Sequence, residues 1–524
     1  MRSSFSGYYI AKQGINVSRA QLEITGQNIS NVNTEGYTRQ RVDTYALGSV
    51  AGKSIYAAAK SDYLGNGAFV QEYTQSRDPY LDLRYRQENS KFGETSAKIE
   101  VLNEVGYVLD SATLDGLNAQ MDELISHLQS LSGQANDPVI QGVVKSSAKA
   151  LTQLLNQFAG QLQTSKTEMI STVSDAAVRE INGYLKNIAN LNKEIKSSHV
   201  SGDPALELMD QRNTLIDNLS TYMNIRTSTK LVDVGGGVMV EELSIDMKTA
   251  NGDSFPLIND NKCAQFGSFT SGDDLRIQLF NFDGNPQSYS ENGSIALKNG
   301  DLTDYLSAGA VRGYIDGINS AGQFDTPPNN KKGIVYYEKM LDAFAYKLAE
   351  VFNGINSTDT EYKPMFESGV AGEEVKASNI QVAESWENFE GAYLTNTKVQ
   401  PQPGVDISTD NSNILNMIAA FEQKQQFVNE NGVFAFEGTF DAFSTELSTV
   451  LGLDIQNTTQ EKDIYESGLS EIETNRMSVS GVSVDEEAVD MLMYNRSFSA
   501  SSRFMTTIYE IIETIINKMG LAGR

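Results

Sequence analysis

Asn28-Ile29-Ser30-Asn31-Val32-Asn33-Thr34-Glu35-Gly36-Tyr37-Thr38-Arg39 follows the first helical segment of a 524-residue chain. Asn tolerates left-handed backbone and hydrogen-bonds locally, and Gly36 supplies positive φ, so the helix is expected to stop near Ser30. Upstream of that stop Tyr8, Ile15, Leu22 and Ile29 stand seven residues apart, with Ala11 and Ser18 at the intermediate step. A seam this narrow wants a partner helix. The matching period lies near the other end, in Val484, Met491, Phe498, Met505, Ile512 and Met519, with Tyr494, Ser501, Ile508 and Ile515 in the second position. Chain ends are usually the frayed part of a domain. Two regular seams at opposite ends therefore predict that the ends meet in a coiled coil and that everything between them is a nested excursion. Few large side chains line either seam, so both helices are expected to order only when neighbouring subunits cover their other faces.

The helical patterns between the seams are long. Residues 60–90 read as turn-rich and aromatic, with Tyr63, Phe69, Tyr73, Tyr80 and Tyr85 and a tight turn at Gly65-Asn66-Gly67. A helical period starts at Ile99 and runs through Leu102, Val105, Leu117, Met121, Leu124, Leu128 and Leu131. Asp137-Pro138 is a helix cap followed by a first-turn proline. It opens a pattern that holds to about Ser198: Ala148, Leu155, Leu162, Met169 and Ala176, then, after a shift, Ile181, Ile188 and Ile195. A helix of roughly 60 residues would be about 90 Å long, too long for a compact globule. Asp203-Pro204 repeats the start, and Leu208, Met209, Leu215, Ile216, Leu219 and Met223 read as the inner face of the next helix.

Residues 231–300 alternate at Leu243, Ile245 and Met247 between turns at Asn251-Gly252, Asp283-Gly284 and Asn292-Gly293, which predicts a small β insertion. The expected fold is mainly α with a β-containing insertion: an elongated, discontinuous multidomain protein with a terminal coiled coil and a central long-helix bundle. Residues 1–60 with 484–524 form the coiled coil, and 61–230 with 301–357 and 441–483 form the bundle. The β insertion is 231–300, and 358–440 is a mixed outer segment without a clear period.

At this point the chain resembles a family. Asn28-Ile29-Ser30-Asn31, then Asn33-Thr34 and Gly36-Tyr37, is similar to the N-terminal signature of bacterial flagellar rod, hook and hook-associated proteins. Ser480-Gly481-Val482-Ser483-Val484-Asp485-Glu486-Glu487 and the helix after it look like the C-terminal signature of the same axial family. Asp210-Gln211-Arg212-Asn213, with Leu215-Ile216-Asp217 and Leu219-Ser220, closely resembles a segment of the hook-associated branch that sits at the hook–filament junction. Leu341 to Ala349 and Ser444 to Ser480 extend the likeness.

The resemblance implies a structural subunit that self-assembles into a ring or short helical layer. Its neighbours would be hook protein on one side and a second junction protein and the filament on the other. It also implies passage from the cytoplasm through the flagellar type III export channel, an export chaperone on the C-terminal helix beforehand, and a final place on the extracellular flagellum. Neither an enzyme activity nor a cofactor is implied. Two alternatives stand beside it: another axial protein (hook or distal rod), which would lack the Asp210 to Ser220 segment, and a secreted adhesin-like protein, which would need a pocket of convergent polar groups.

Composition agrees with an exported building block. The net charge is −27, yet residues 1–60 carry +4 and the remainder −31. Between residues 355 and 475 there are 21 acidic and 5 basic side chains, which reads as a solvated surface and argues against nucleic-acid binding, since phosphate needs the opposite sign. Cys263 is the only cysteine, so no disulfide staples the chain, and it is expected to be an inert small residue. With His127 and His199 the only histidines, a His-Glu-x-x-His zinc site cannot form. The N-terminus lacks the apolar core of a cleavable signal, and no stretch approaches the roughly 20 apolar residues of a membrane span. Gly48, Gly52, Lys53 and Ser54 miss the phosphate-loop spacing by one residue. Asn281-Phe282-Asp283-Gly284-Asn285 lacks the ligands of a calcium loop and reads as a hairpin turn. Trp386, alone among polar residues, is expected to pack on the surface.

Overall fold

The structure, a computed structural model, describes residues 6–46, 67–235, 239–358, 361–398, 410–429 and 431–518. The phosphate-loop look-alike, Tyr63, Gly65, Asn66 and Met519 lie outside them. Helix α1 (Ser6–Ser30) ends where the Asn-rich string begins, and Gly36 takes φ +77° in the turns that follow. Strands β1 (Gln40–Ala46) and β2 (Ala68–Gln75) pair antiparallel beside it.

Helix α2 (Pro79–Val108) starts well ahead of Ile99, where the apolar period begins, and this corrects the turn-rich reading of residues 60–90 from Pro79 onward. Asp78 caps it by accepting from the Tyr80 amide, and Pro79 occupies the first turn. The first half shows no apolar period because it buries Asp82, Arg86, Asn89 and Ser90, which are polar.

Helix α3 (Ser111–Gly133) is followed by α4 (Pro138–Thr172), a single π turn (Val173–Ala177) and α5 (Val178–Val200), which form one continuous rod. Asp137 caps it as the Asp-Pro pair predicts. The π turn accounts for the shift in the seven-residue step: it inserts extra backbone into one turn, so Ala177 is buried where the unshifted period would put the exposed Ala176. Helix α6 (Leu206–Tyr222) departs from expectation at its start. Asp203 accepts from the Ala205 amide, and Ala205 adopts the left-handed conformation before the helix begins. Its inner face also differs, because Asp210 and Arg212 are buried while Leu208, Met209 and Leu215 are only half-buried.

The β insertion opens at β3 (Ile225–Asp233), ahead of residue 231. With β4 (Met239–Lys248), β5 (Ser254–Asn259) and β6 (Lys262–Cys263) it forms a four-stranded antiparallel sheet, while β7 (Gln265–Ser271) pairs with β8 (Asp274–Phe280). Leu243, Ile245 and Met247 point inward, as their alternation requires. Helices α7 (Ala310–Asn319) and α8 (Ile334–Asn356) return to the bundle. The mixed segment holds the pair β9 (Phe366–Ser368) and β10 (Ile380–Val382), the short α9 (Glu384–Glu387), α10 (Ser412–Glu422) and the hairpin β11 (Gln425–Val428) with β12 (Phe434–Gly438). Helix α11 (Phe440–Ser480) and helix α12 (Val484–Lys518) complete the described chain.

One continuous hydrophobic core runs from Val101 to Leu451 in sequence and contains no side chain of α1 or α12. Its aromatic centre is Phe344, whose ring lies 5.4 Å from Phe440, 5.2 Å from Phe443 and 6.1 Å from Phe427. Trp386 belongs to this core rather than to the surface: it is 2% exposed and stacks on Tyr393 with ring centroids 6.0 Å apart. The protein is mainly α with a β insertion, elongated by its long helices. Among the described residues no helix is long and apolar enough to cross a membrane, and no cluster of His, Cys, Asp and Glu is placed to hold a metal ion.

Candidate assembly site

Helices α1 and α12 pack along one another, bringing both ends of the sequence together within a single chain. Small residues let the two backbones close tightly. A Cβ at Gly7 would lie 2.9 Å from Ile508 Cδ1, and one at Gly14 would lie 2.7 Å from Ser501 Oγ. Ala11, Ser18, Thr25 and Asn28 are buried on the same side.

The closest contact thus runs beside the large-residue line read from the sequence. Ile15, Leu22, Ile29, Phe498, Met505 and Ile512 flank it half-buried, whereas Tyr8, Val484 and Met491 are exposed. A seven-residue period marks a helix side but not which of two adjacent lines meets the partner. Val489, Leu492, Met493 and Phe504 leave a second apolar face of α12 open.

The signature string builds the joint between this coil and the helical body. Asn28 is buried and fully engaged: its Nδ2 donates to Gln40 O at 2.9 Å and to Glu487 Oε2 at 3.1 Å, and its Oδ1 accepts from Tyr37 OH at 2.9 Å and the Gln40 amide at 3.0 Å. Asn31 holds the turn, its Nδ2 donating to Gln27 O and its Oδ1 accepting from Thr34 Oγ1. Gly36 passes against Thr214 on α6, where any side chain would collide. Asn33 is exposed, and no role for it emerges from the geometry.

From the body, Asp210 Oδ2 accepts from the Thr38 amide at 3.0 Å, while Gln211 lines an adjoining cleft. Arg212 points elsewhere: its guanidinium bonds Asn192 on α5 at 3.1 Å and Glu241 on β4 at 2.7 Å, tying the β insertion to the bundle.

Several partners carried no role in the sequence reading. Arg39 pairs with Glu487 at 2.7 Å and Glu486 at 3.2 Å, with Asp490 at 3.5 Å, and Glu487 is 2% exposed. Arg39 and Glu487 both stood inside the signature strings, so the signal was composition without geometry. Beneath them Arg476 bridges Asp217 at 2.7 Å and Asp82 at 3.1 Å over the Tyr85 ring, and Arg86 holds the other Asp217 oxygen at 2.6 Å. No sequence pattern connects residues so far apart along the chain.

Two clefts flank the signature loop. One of about 370 Å³ lies between it, α2 and α11; the other, of about 740 Å³, lies against α5 and α6. Burial and the nearby Glu207 and Asp210 charges hold the Tyr37 phenol well above its usual pKa. Burial likewise raises the Asp210 carboxyl, against the opposing Thr38 amide and Arg77, and burial raises Glu94 and Glu338.

These raised carboxyls bind protons in the folded chain at a pH where the unfolded chain has released them. Their contribution is therefore present below the unfolded pKa and lost as pH rises through the folded one. The thermal midpoint should accordingly hold or rise between neutral pH and about pH 5 and should not fall across that window. Thermal denaturation at the two ends of the window checks this. Glu387, which its hydrogen bond with Lys149 holds below the ordinary range, acts only at lower pH.

Comparison with known proteins agrees with this architecture. Residues 102–367, just over half the chain, match the family model described as flagellar hook-associated protein FlgK helical domain, and residues 473–518 match the flagellar basal body rod FlgEFG protein C-terminal model. Flagellar hook-associated protein 1 of Bacillus subtilis (strain 168) is 26% identical over 537 residues, covering 100% of both chains. The protein of that name from Escherichia coli (strain K12) is 22% identical over 564 residues, covering 97% of this chain and 98% of its own. In fold, the flagellar hook junction protein FlgK from Burkholderia pseudomallei is similar, with a TM-score of 0.54 at 13% identity over 77% of this chain and 100% of that one. The chain belongs to the flagellar hook-associated protein FlgK family.

Proposed function

We propose that this chain is the subunit that joins the flagellar hook to the filament and adapts one to the other mechanically. The observation that carries the reading is the FlgK helical-domain match over the body of a chain whose two ends pair in a coil, with the axial C-terminal match lying on that coil. As a family member it is a structural component of the flagellum, and its work is packing and load transfer rather than bond chemistry.

The coil of residues 1–60 and 484–524 stacks in the inner axial layer. The bundle of 61–230, 301–357 and 441–483 forms the next shell, and the insertions at 231–300 and 358–440 face outward. Copies assemble in a ring or short helical layer between hook protein and the second junction protein that leads to the filament. Before export through the type III channel, the open α12 face at Val489, Leu492 and Met493 offers a cytoplasmic chaperone an apolar stripe to cover.

A strain lacking the chain tests the reading. Hooks without filaments, with flagellin lost to the medium, are the expected result; absent hooks would place the protein in the rod or hook, and normal filaments would refute a junction role.

A further inference from the structure

The joint between coil and body is tied by hydrogen bonds and ion pairs, with Val32, Leu81, Met477 and Val482 lining the cleft beside them. The continuous core stops short of α1 and α12. Three non-helical stretches, 31–39, 76–78 and 481–483, meet at the joint. Between them residues 38–40 act as a plate gripped from two sides. The body holds the plate by its backbone, through the Thr38 amide on Asp210 Oδ2 at 3.0 Å and the Arg39 amide on Ser480 O at 2.8 Å. The coil holds it twice: α1 through Asn28, which bonds the Gln40 backbone, and α12 through the Arg39 guanidinium, which engages Glu486, Glu487 and Asp490 within the first two turns of that helix.

We propose that Arg39 is a releasable latch, and that the coil pivots about residues 38–40 when its ion pairs to α12 open. Directional polar contacts exchange with water on opening, whereas a packed apolar core resists separation, so a joint of this composition is where the two bodies can reorient. Clefts of about 370 Å³ and 740 Å³ on either side of the signature loop leave room for the swing. The Asn28 bonds to Gln40 and Tyr37 keep the plate attached to α1 in both positions, which makes the motion a hinge rather than a detachment. A subunit bridging two lattices of different stiffness needs such freedom. That use of the hinge rests on the junction reading, while the latch is a property of the chain itself.

Spin labels test it on the purified full chain, with Cys263→Ser removing the native thiol. One label pair spans the joint (Glu466→Cys with Arg503→Cys), and a second lies within the coil (Lys12→Cys with Arg503→Cys). With Arg39→Gln, the pair across the joint should broaden or shift in its distance distribution, while the pair inside the coil keeps its distribution and the thermal midpoint of the body is unchanged. High salt should reproduce part of the shift in the unaltered chain. An unchanged distribution across the joint would overturn the latch. Broadening of the coil pair, in the variant or already in the unaltered chain, would overturn it too, since Arg39 would then support coil folding or have no docked coil to hold. Neither result depends on the filament phenotype that tests the junction role.

Discussion

Gly14→Leu is expected to yield hooks without filaments while leaving the helical body folded. A single added methyl at this position already reaches to 2.7 Å of Ser501 Oγ and 3.3 Å of its Cβ, and a leucine adds three further carbons where the two helices meet. Overpacking of this kind costs about 1–3 kcal/mol in a core that can relax. The coil has little reserve against such a loss, since the α1 side of its closest contact is made of Gly7, Ala11, Gly14 and Ser18, which bury little apolar area. The body does not share the damage, because no residue of α1 belongs to the continuous core. Complementation of the deletion strain, scored by filament count alongside the melting curve of the purified variant, reads both halves of the expectation. Leu22→Ala on the half-buried flank of the coil is the control and should leave filaments in place. Normal filaments with Gly14→Leu would show that close approach of α1 and α12 is not needed for assembly.

Phe344→Ala strikes the other body of the protein. Its ring is fully buried, with the rings of Phe427, Phe440 and Phe443 between 5.2 and 6.1 Å away, and it links α8 to the β11–β12 hairpin and the start of α11. Removing it leaves a cavity that these ring neighbours can close only in part, at a cost of about 3–5 kcal/mol. The denaturant midpoint of the body should fall accordingly. Phe389→Ala, at a ring 49% exposed with one edge contact to Tyr393 at 5.6 Å, should cost no more than about 1.5 kcal/mol and shift the midpoint correspondingly less. Equal effects from the two substitutions would remove Phe344 from the centre of the core.

The sequence displayed the long rod through a seven-residue apolar step from Ala148 to Ile195, and the one interruption in that step was visible. It could not be interpreted, because a phase shift reads alike whether the helix ends, kinks or takes up a π turn, and the backbone between Val173 and Ala177 shows the last of these. The first half of α2 left no trace at all. Asp82, Arg86 and Asn89 look like surface residues until Arg77, Asp217 and Ser220 are placed against them by the fold. Trp386 misled for the related reason that its neighbours in sequence are polar while its neighbours in space are Tyr393 and the core. At the assembly site, the signature strings held Asn28, Tyr37, Arg39 and Glu487 in plain view, but a string carries no distances. Their convergence on one another needed both ends of the chain in one place.

By itself, the sequence determined the local matters: where α1 stops, that α4 starts at an Asp-Pro pair, that the ends carry helical seams and that residues 231–300 are strands and turns. These follow from periods and caps, which are set by neighbours within a few residues. Which line of each seam meets the other, which polar residues go inside, and how the coil is fastened to the body were decided only by the tertiary structure. The physical reason is that polar side chains are buried only when a partner satisfies them, and the partner of Asn28 or Arg39 lies more than 440 residues away in Glu487.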